Sequence, residues 1–297
     1  MVQRFKNYYH LLTAILANVI YGLPARKLKV IGVTGTDGKT TTSNLIYHIL
    51  HENGKSVSVI STVGAKIDNQ EFDIGFHVTT PSSFKLQKYI KKIAVSKSEY
   101  LVLEVTSHAL DQYRAFGIPF DIGVLTNVSH EHLDYHKTYK NYVNVKSRLL
   151  KMAKVAILNS DDESYKLIVN ILPKTKKVLT YGTADTSTVN FKNFTFKTNL
   201  IGEFNKYNIL AAVLVCQNLG LTDEEIKKSI STFKAPIGRQ EIVYDKAFTV
   251  MIDFAHTPNA FTSLLPGVKK IAKRRVIHVF GSAGRRDASK RSLMGKE

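Results

Sequence analysis

Three short stretches carry residues whose types and spacing suit phosphate and metal chemistry. The first is Gly32-Val33-Thr34-Gly35-Thr36-Asp37-Gly38-Lys39-Thr40, with Thr41 following. Glycines there let backbone N–H groups approach phosphate oxygens, Lys39 would neutralise β/γ charge, and the Thr40 hydroxyl suits Mg²⁺. The first glycine stands one place too early for the general phosphate-loop pattern, because Val33 occupies the position that pattern requires. The second stretch is Glu104-Val105-Thr106-Ser107-His108, directly after an apolar run. A carboxylate at a strand's C-terminal end, beside a phosphate loop, is suited to holding Mg²⁺, and it could equally cap the next helix. The third runs from Thr126 through His130-Glu131-His132-Leu133-Asp134-Tyr135-His136. Its histidines and carboxylates suggest a metal site or a polar loop. Magnesium is favoured over zinc, since no cysteine is near and a phosphate loop calls for a hard ion.

The elements that must position these residues follow from hydrophobic periodicity. Residues 27–33 form a strand, and Leu45, Ile46, Ile49 and Leu50 recur at helical spacing over residues 39–51, so the glycine-rich stretch joins strand to helix. Further strands are expected at 56–60, 100–105, 122–126, 155–159 and 178–181, separated by helices such as 83–94 and 139–151. This alternation implies an α/β fold, a mainly parallel sheet flanked by helices. Residues 187–200 alternate polar and apolar and are expected to form an antiparallel hairpin at the sheet margin. Helices at 205–219 and 222–233 follow, the second opening with Thr222 and Glu225 in capping-box spacing. Ala235-Pro236-Ile237-Gly238 marks a junction. Strands at 241–244, 248–252 and 276–280 and a helix at 258–272 then begin a second, Rossmann-like α/β domain. The expected division is an N-terminal helical segment (1–26), a central phosphate-loop domain (27–236) and the first part of that second domain (237–297).

Composition narrows the class. A 297-residue chain with 44% apolar residues can bury a substantial core, and its single cysteine, Cys216, excludes an internal disulfide framework. The net charge of +18 fits nucleic acid or small polyanions alike. The lysines are scattered and accompany no nucleic-acid motif, so a solvated basic surface without nucleic acid is expected. Residues 8–23 lack charge, but the stretch is short for a membrane span and is broken by His10 and Asn18. A helix packed on the domain is expected, with contact to a membrane surface as the minority reading.

Together, Thr34-Gly35-Thr36-Asp37-Gly38-Lys39-Thr40, Glu104 to His108 and the His132 region resemble the Mur ligases, in particular the UDP-N-acetylmuramoyl-L-alanyl-D-glutamate ligases, the MurE type. The resemblance implies that Gly35, Thr36, Asp37, Gly38, Lys39, Thr40 and Thr41 bind ATP. It also implies that Glu104 and His132 join Thr40 at Mg²⁺. The usual Asp-His pair stands here as Glu131-His132. His77-Val78-Thr79-Thr80-Pro81 resembles the muramyl-substrate segment, with Thr79, Thr80, Ser107 and Arg114 at the substrate. Lys146 matches a lysine that is carbamylated in the family. Asn205 and Asn208 match a segment near the adenine, although both could instead cap a helix. Arg239 would approach the γ-phosphate and Asp253 the ribose. Gly281 to Asp287 resembles the glycine-rich turn of the family's C-terminal domain.

The activity so implied is amide-bond formation. A D-glutamyl carboxylate of UDP-muramyl dipeptide is activated by ATP as an acyl phosphate, with Lys39, Glu104, His132 and Lys146 as the catalytic group, and an amino acid's amine then displaces phosphate. A cytoplasmic monomer is expected. Family members also carry a UDP-binding N-terminal domain and an Asp-Asn-Pro-Arg recognition motif, neither of which this sequence contains. The expectation is therefore a chain that binds ATP and Mg²⁺ but ligates poorly by itself. Folylpolyglutamate or cyanophycin synthetase-like ligases, and a non-catalytic ATP-binding partner subunit, are the alternatives.

Overall fold

The computed structural model describes residues 2–75, 79–129, 133–282 and 290–296. The chain opens with helix α1 (Val2–Tyr21), a 3₁₀ turn at Pro24–Lys27 and strand β1 (Lys29–Thr34), which leads through the glycine-rich loop into α2 (Lys39–Glu52). Strand β2 (Val57–Ser61) continues into a hairpin of β3 (Gly64–Ile67) and β4 (Gln70–Phe72), followed by α3 (Ser83–Val95), β5 (Tyr100–Glu104) and α4 (Ser107–Asp111). Next come β6 (Phe120–Leu125), α5 (Leu133–His136), α6 (Tyr139–Met152), β7 (Val155–Asn159), α7 (Tyr165–Ile171), β8 (Lys177–Gly182) and β9 (Val189–Asn190). Helices α8 (Glu203–Asn218) and α9 (Asp223–Thr232) close the main body. The chain then forms β10 (Glu241–Asp245), β11 (Thr249–Ile252), α10 (Pro258–Ile271) and α11 (Lys290–Lys296).

Nine strands form one sheet in the order β4-β3-β2-β5-β1-β6-β7-β8-β9, parallel except for β3 and β4. The strand period of two divides the apolar residues between the two faces of the sheet. Ile31, Val33, Val102 and Val124 pack with α2, α8 and α9 on one face. Val30, Leu101, Leu103 and Phe120 pack with α3, α4 and α6 on the other. With both faces covered, the central strands must be apolar throughout, and β2 and β5 are buried at every position. Cys216 sits in the core on the first of these faces as a free, buried thiol, and burial pushes its pKa up. At Gly32 a Cβ would lie 2.7 Å from the Leu149 and Phe120 side chains, so glycine there lets α6 approach β1. Because the central strands are parallel, their C-terminal ends share one edge, and the loops leaving β1, β2, β5 and β6 meet there.

The expected strands and helices fall within a residue or two of those observed, and the Thr222–Glu225 capping box is formed. Two expectations fail. Residues 187–200 make no antiparallel hairpin: only Val189–Asn190 pair, in parallel with β8, because the Asn190 and Asn193 side chains turn the chain by bonding its backbone. Residues 276–280, apolar apart from His278, pair with no strand among the described residues. The β10–β11 pair remains a separate two-stranded sheet.

Candidate active site

The loop after β1 is built to let ligand atoms approach the backbone. Gly35 has φ 153°, and a Cβ there would fall 1.8 Å from the Thr126 hydroxyl. Gly38 has φ 79°, and its Cβ would meet Asn208 Oδ1 at 2.1 Å. No other residue fits either position. Asn127 braces the loop from the neighbouring strand end: its Oδ1 accepts from Asp37 N at 2.9 Å and its Nδ2 donates to Asp37 O at 3.1 Å. Thr126 Oγ1 donates to Asp37 O at 2.6 Å, and Thr36 Oγ1 accepts from Ser129 N at 3.0 Å. The Lys39 ammonium folds back over the loop to donate to Thr36 O at 2.7 Å. Thr41, in the first turn of α2, is buried.

Glu104 lies beside this loop, almost fully buried. Thr40 Oγ1 approaches its two carboxylate oxygens at 3.2 and 3.1 Å. Thr62, at the end of β2, donates its N–H to Oε2 at 2.9 Å and its hydroxyl to Oε1 at 3.0 Å. The helix-capping alternative for Glu104 is excluded, since Thr106 caps α4 by accepting from Ala109 N. A buried carboxylate held by neutral donors, next to a threonine hydroxyl, is a set of hard oxygen atoms that fits Mg²⁺. The glycine cradle beside it fits the phosphates of a nucleotide. His132, together with His130 and Glu131, lies outside the described residues, as do His77, Val78 and most of the Gly281 to Asp287 turn.

The other expected residues divide into three groups. Thr79 reaches the carboxylate cluster, its Oγ1 3.0 Å from Thr62 Oγ1. Thr80 spends its hydroxyl locally, donating to Glu104 O and accepting from Thr106 N. Arg114 is no ordinary surface arginine: its Nη1 donates to Thr80 O at 2.9 Å, and burial lowers its pKa from the usual arginine value. Ser107 is buried with its Oγ 3.0 Å from His136 Nε2, and the His136 ring stacks on Tyr142. The Lys146 amine, buried beneath the loop, donates to Gly35 O at 2.5 Å and lies 4.5 Å from the centre of the Tyr142 ring.

Asn205 and Asn208 do not cap α8, whose N-cap is Gly202. They form a relay instead. Asn208 Nδ2 donates to Asn205 Oδ1 at 3.0 Å, and Asn205 Nδ2 donates to Ile201 O and Gln240 Oε1. Gln240 brings the C-terminal segment to the site. Beside it Arg239 stacks over Phe254 at 4.3 Å. Burial lowers the Arg239 pKa, while the charges of Glu104, Asp253 and Asp37 act in the opposite sense. Asp253 accepts from Gln240 N and Ala255 N.

Residues to which the sequence assigned no role of their own complete the arrangement. Thr62, Thr126, Asn127 and Gln240 all hold the loop or its carboxylate. Beside Gly38 opens a pocket lined by the rings of Tyr181, Phe204 and Tyr207 together with the polar side chains of Asn127, Asn159 and Asn208, a mixture suited to a planar ring with polar edges. Burial and a hydrogen bond to Asp161 push Tyr207 up to about 12, keeping it a neutral donor. Thr62 carried a usable signal, since it follows β2 just as Glu104 ends β5, and Gln240 stands next to Arg239 in the Gly238–Glu241 stretch.

The sheet topology and the glycine-rich loop together are those of an α/β domain of the phosphate-loop kind. Residues 33–216 match the Mur ligase middle domain and residues 238–296 the Mur ligase glutamate ligase domain. The chain belongs to the Mur ligase family. It is 38% identical over 298 residues to the UDP-N-acetylmuramoyl-L-alanyl-D-glutamate-2,6-diaminopimelate ligase of Aquifex aeolicus, covering 94% of this chain and 61% of that protein. It is 36% identical to the ligase of the same name from Geobacillus kaustophilus, covering 95% and 63%. The chain thus spans about three-fifths of the length of these curated relatives. A solved structure of a diaminopimelate ligase of that name superposes with a TM-score of 0.72 at 29% identity, over 91% of this chain and 59% of that one. An apo folylpolyglutamate synthase from L. casei shares the fold, with a TM-score of 0.72 at 16% identity over 92% and 82%.

Proposed function

We propose that this chain binds Mg²⁺-ATP and provides the ATP-using core of a ligase that adds the third amino acid to UDP-N-acetylmuramoyl-L-alanyl-D-glutamate. The observation that carries the reading is the Thr40–Glu104–Thr62 cluster set against the Gly35–Lys39 cradle. Thr40 and Glu104 would hold the ion, with His132 as the further ligand that the family motif implies. Bound there, Mg²⁺ neutralises phosphate charge.

The chain's own groups do the rest. Backbone N–H groups of the loop and Lys39 grip the β- and γ-phosphates, and Arg239 supplies a second cation over the γ-phosphate. The attacking carboxylate then meets less repulsion, and the charge developing on the transferred phosphoryl group is stabilised by dipoles already in place. The substrate's D-glutamyl carboxylate displaces ADP to give an acyl phosphate. The amine of the incoming amino acid displaces phosphate and forms the amide. The aromatic pocket beside Gly38 takes the adenine, and Asp253 the ribose. Thr79, Ser107 and Arg114 face the muramyl substrate, with Thr80 fixing the strand ends around Glu104. A carbamate on Lys146 would turn the cation beneath the loop into an anion, and a dependence of activity on bicarbonate checks that part.

The relatives' names motivate diaminopimelate as the first amino acid to try. The test measures ADP release with UDP-muramyl dipeptide and a panel of amino acids, alongside folate and cyanophycin substrates. Stimulation by the muramyl dipeptide alone among acceptors supports the reading, and stimulation by another acceptor overturns it. Binding of UDP-muramyl dipeptide in the presence of a non-hydrolysable ATP analogue gives a second readout. Absence of that binding also counts against it.

A further inference from the structure

Gln240 stands directly after Arg239, and its side chain gives both of its polar atoms to the main body. Its Nε2 donates to Ile201 O at 2.8 Å, while its Oε1 accepts from Ile201 N at 3.0 Å and from Asn205 Nδ2 at 3.1 Å. Bonding both the N–H and the C=O of one residue fixes the plane of the amide. The chain of bonds continues inward. Asn205 Oδ1 accepts from Asn208 Nδ2 at 3.0 Å, and Asn208 Oδ1 lies where a Cβ on Gly38 would have to go. Asn205, Asn208 and Gln240 are 3%, 4% and 7% exposed, so a broken link leaves polar groups buried without partners.

The backbone that carries Arg239 is fixed from the same residue. Gln240 has φ 51°, in the left-handed region that residues other than glycine seldom adopt, and it turns the chain between Arg239 and β10. Such a conformation persists where the surrounding bonds hold it. Here Gln240 N donates to Asp253 Oδ2 at 2.9 Å. The turn before it is closed by Arg239 N on Pro236 O at 2.9 Å and by Gly238 N on Glu241 Oε2 at 2.8 Å. The guanidinium has a looser support, the Phe254 ring 4.3 Å away. A cation over a ring face is drawn towards the ring but is not fixed along it.

We infer that Gln240 is a positioning residue for Arg239. The Asn208–Asn205–Gln240 chain carries the register of the phosphate loop to the backbone on which Arg239 is mounted, so the guanidinium meets the γ-phosphate only while that chain is intact. The inference rests on the proposed reading of the loop as a triphosphate site with Arg239 at its γ-phosphate. Gln240 itself touches no ligand in this scheme, and its effect passes through Arg239.

The test titrates the purified full chain, with Mg²⁺ present, against the β,γ-imido analogue of ATP and against ADP, which lacks the γ-phosphate. Wild type, Gln240→Met, Arg239→Ala and the double variant are compared. Methionine fills a similar volume without the hydrogen bonds. The expected result is that Gln240→Met weakens the triphosphate analogue about 10-fold, the size of a coupling between neighbouring residues, and leaves ADP within about twofold. In the Arg239→Ala background the methionine has no further effect, because the residue it acts through is gone. A merely structural role for Gln240 would weaken both nucleotides and would persist without Arg239. Gln240→Ala removes the same bonds with less bulk and gives the same pattern, so it stands in if the methionine variant does not fold. Equal losses for the two nucleotides, additive losses in the double variant, or an unchanged triphosphate affinity in Gln240→Met beside a weakened Arg239→Ala each overturn the inference and leave the reading standing. An Arg239→Ala protein that keeps the wild-type preference for the triphosphate, or a folded wild type that binds neither nucleotide, overturns the reading and the inference with it. Loss of the melting transition in both Gln240 variants also overturns the inference, because the residue then serves the fold as a whole.

Discussion

The phosphate cradle and the C-terminal segment bear on the same site by different means. The cradle stands at the C-terminal ends of central strands covered on both faces. Its polar atoms are bonded to one another through Asn127, Thr126 and Thr62. Among the described residues the C-terminal segment forms a two-stranded sheet, on which Ile242, Val243, Phe248, Val250 and Ile252 are exposed. Its link to the main body includes Gln240 on Ile201 and Asn205, and the close approach of Gly267 to Gly202. The contrast teaches that binding geometry is preorganised in the first region, whereas the second delivers Arg239 through a small set of replaceable bonds. Substitutions in the cradle should therefore disturb folding and binding together. Substitutions at the tether should move Arg239 and leave the central domain standing.

The largest effect is expected from Lys39→Ala. Losing a charge-assisted contact to phosphate costs about 2–3 kcal/mol, or roughly 100-fold in affinity. Titration calorimetry checks the loss, and an unchanged circular dichroism melt separates it from unfolding. Gly38→Ala comes next: a Cβ forced onto Asn208 Oδ1 at a left-handed φ should destabilise by about 2–3 kcal/mol in chemical denaturation. Adding Asn208→Ala relieves the clash but not the backbone strain, so the double variant should lose less than the sum of the two single losses. Simple additivity would show that the loop and α8 are not in contact as described.

Gln240→Leu leaves Ile201 N and Asn205 Nδ2 without their acceptor, at a cost of about 1–2 kcal/mol. The expected readout is faster proteolysis near residues 233–238 with the main melting transition in place. Loss of the whole fold would erase the distinction between the two regions.

The smallest effect concerns His48, which sits between α2 and α9 with Nε2 3.0 Å from Ser229 O. Burial lowers its pKa from 6.5. The unfolded chain then binds the proton more tightly than the folded one, so stability rises with pH across that window. The contribution is present above about 6.5 and is lost as pH falls through the lower, folded-state pKa. Denaturation midpoints taken from pH 7 to 5 should fall less in His48→Gln than in the wild type.

Much of this was legible from residue order alone. The central strands announce themselves as short apolar runs, and Glu104 could be picked out because it ends one of them. The β3–β4 hairpin was missed although its turn, Asp68-Asn69, has the left-handed φ values of 49° and 58° that those residue types tolerate. Residues 276–280 have strand-like composition, but a strand needs a partner edge, which periodicity does not report. Asn208 lies against Gly38 of the loop, and Asn205 is one bond further out. Their relay to Gln240 was invisible because it joins side chains up to 35 residues apart through tertiary packing.

The central claim is that Glu104 and Thr40 hold a magnesium ion against a nucleotide gripped by the Gly35–Lys39 loop. Calorimetric titration of the purified chain with ATP, with and without Mg²⁺, for wild type and Glu104→Gln, tests it directly. The account predicts one nucleotide per chain, bound more tightly with Mg²⁺, and a variant that retains the metal-free affinity but loses the metal-dependent gain. An Mg²⁺ effect of equal size in both proteins, or no nucleotide binding by the folded wild type, would contradict it.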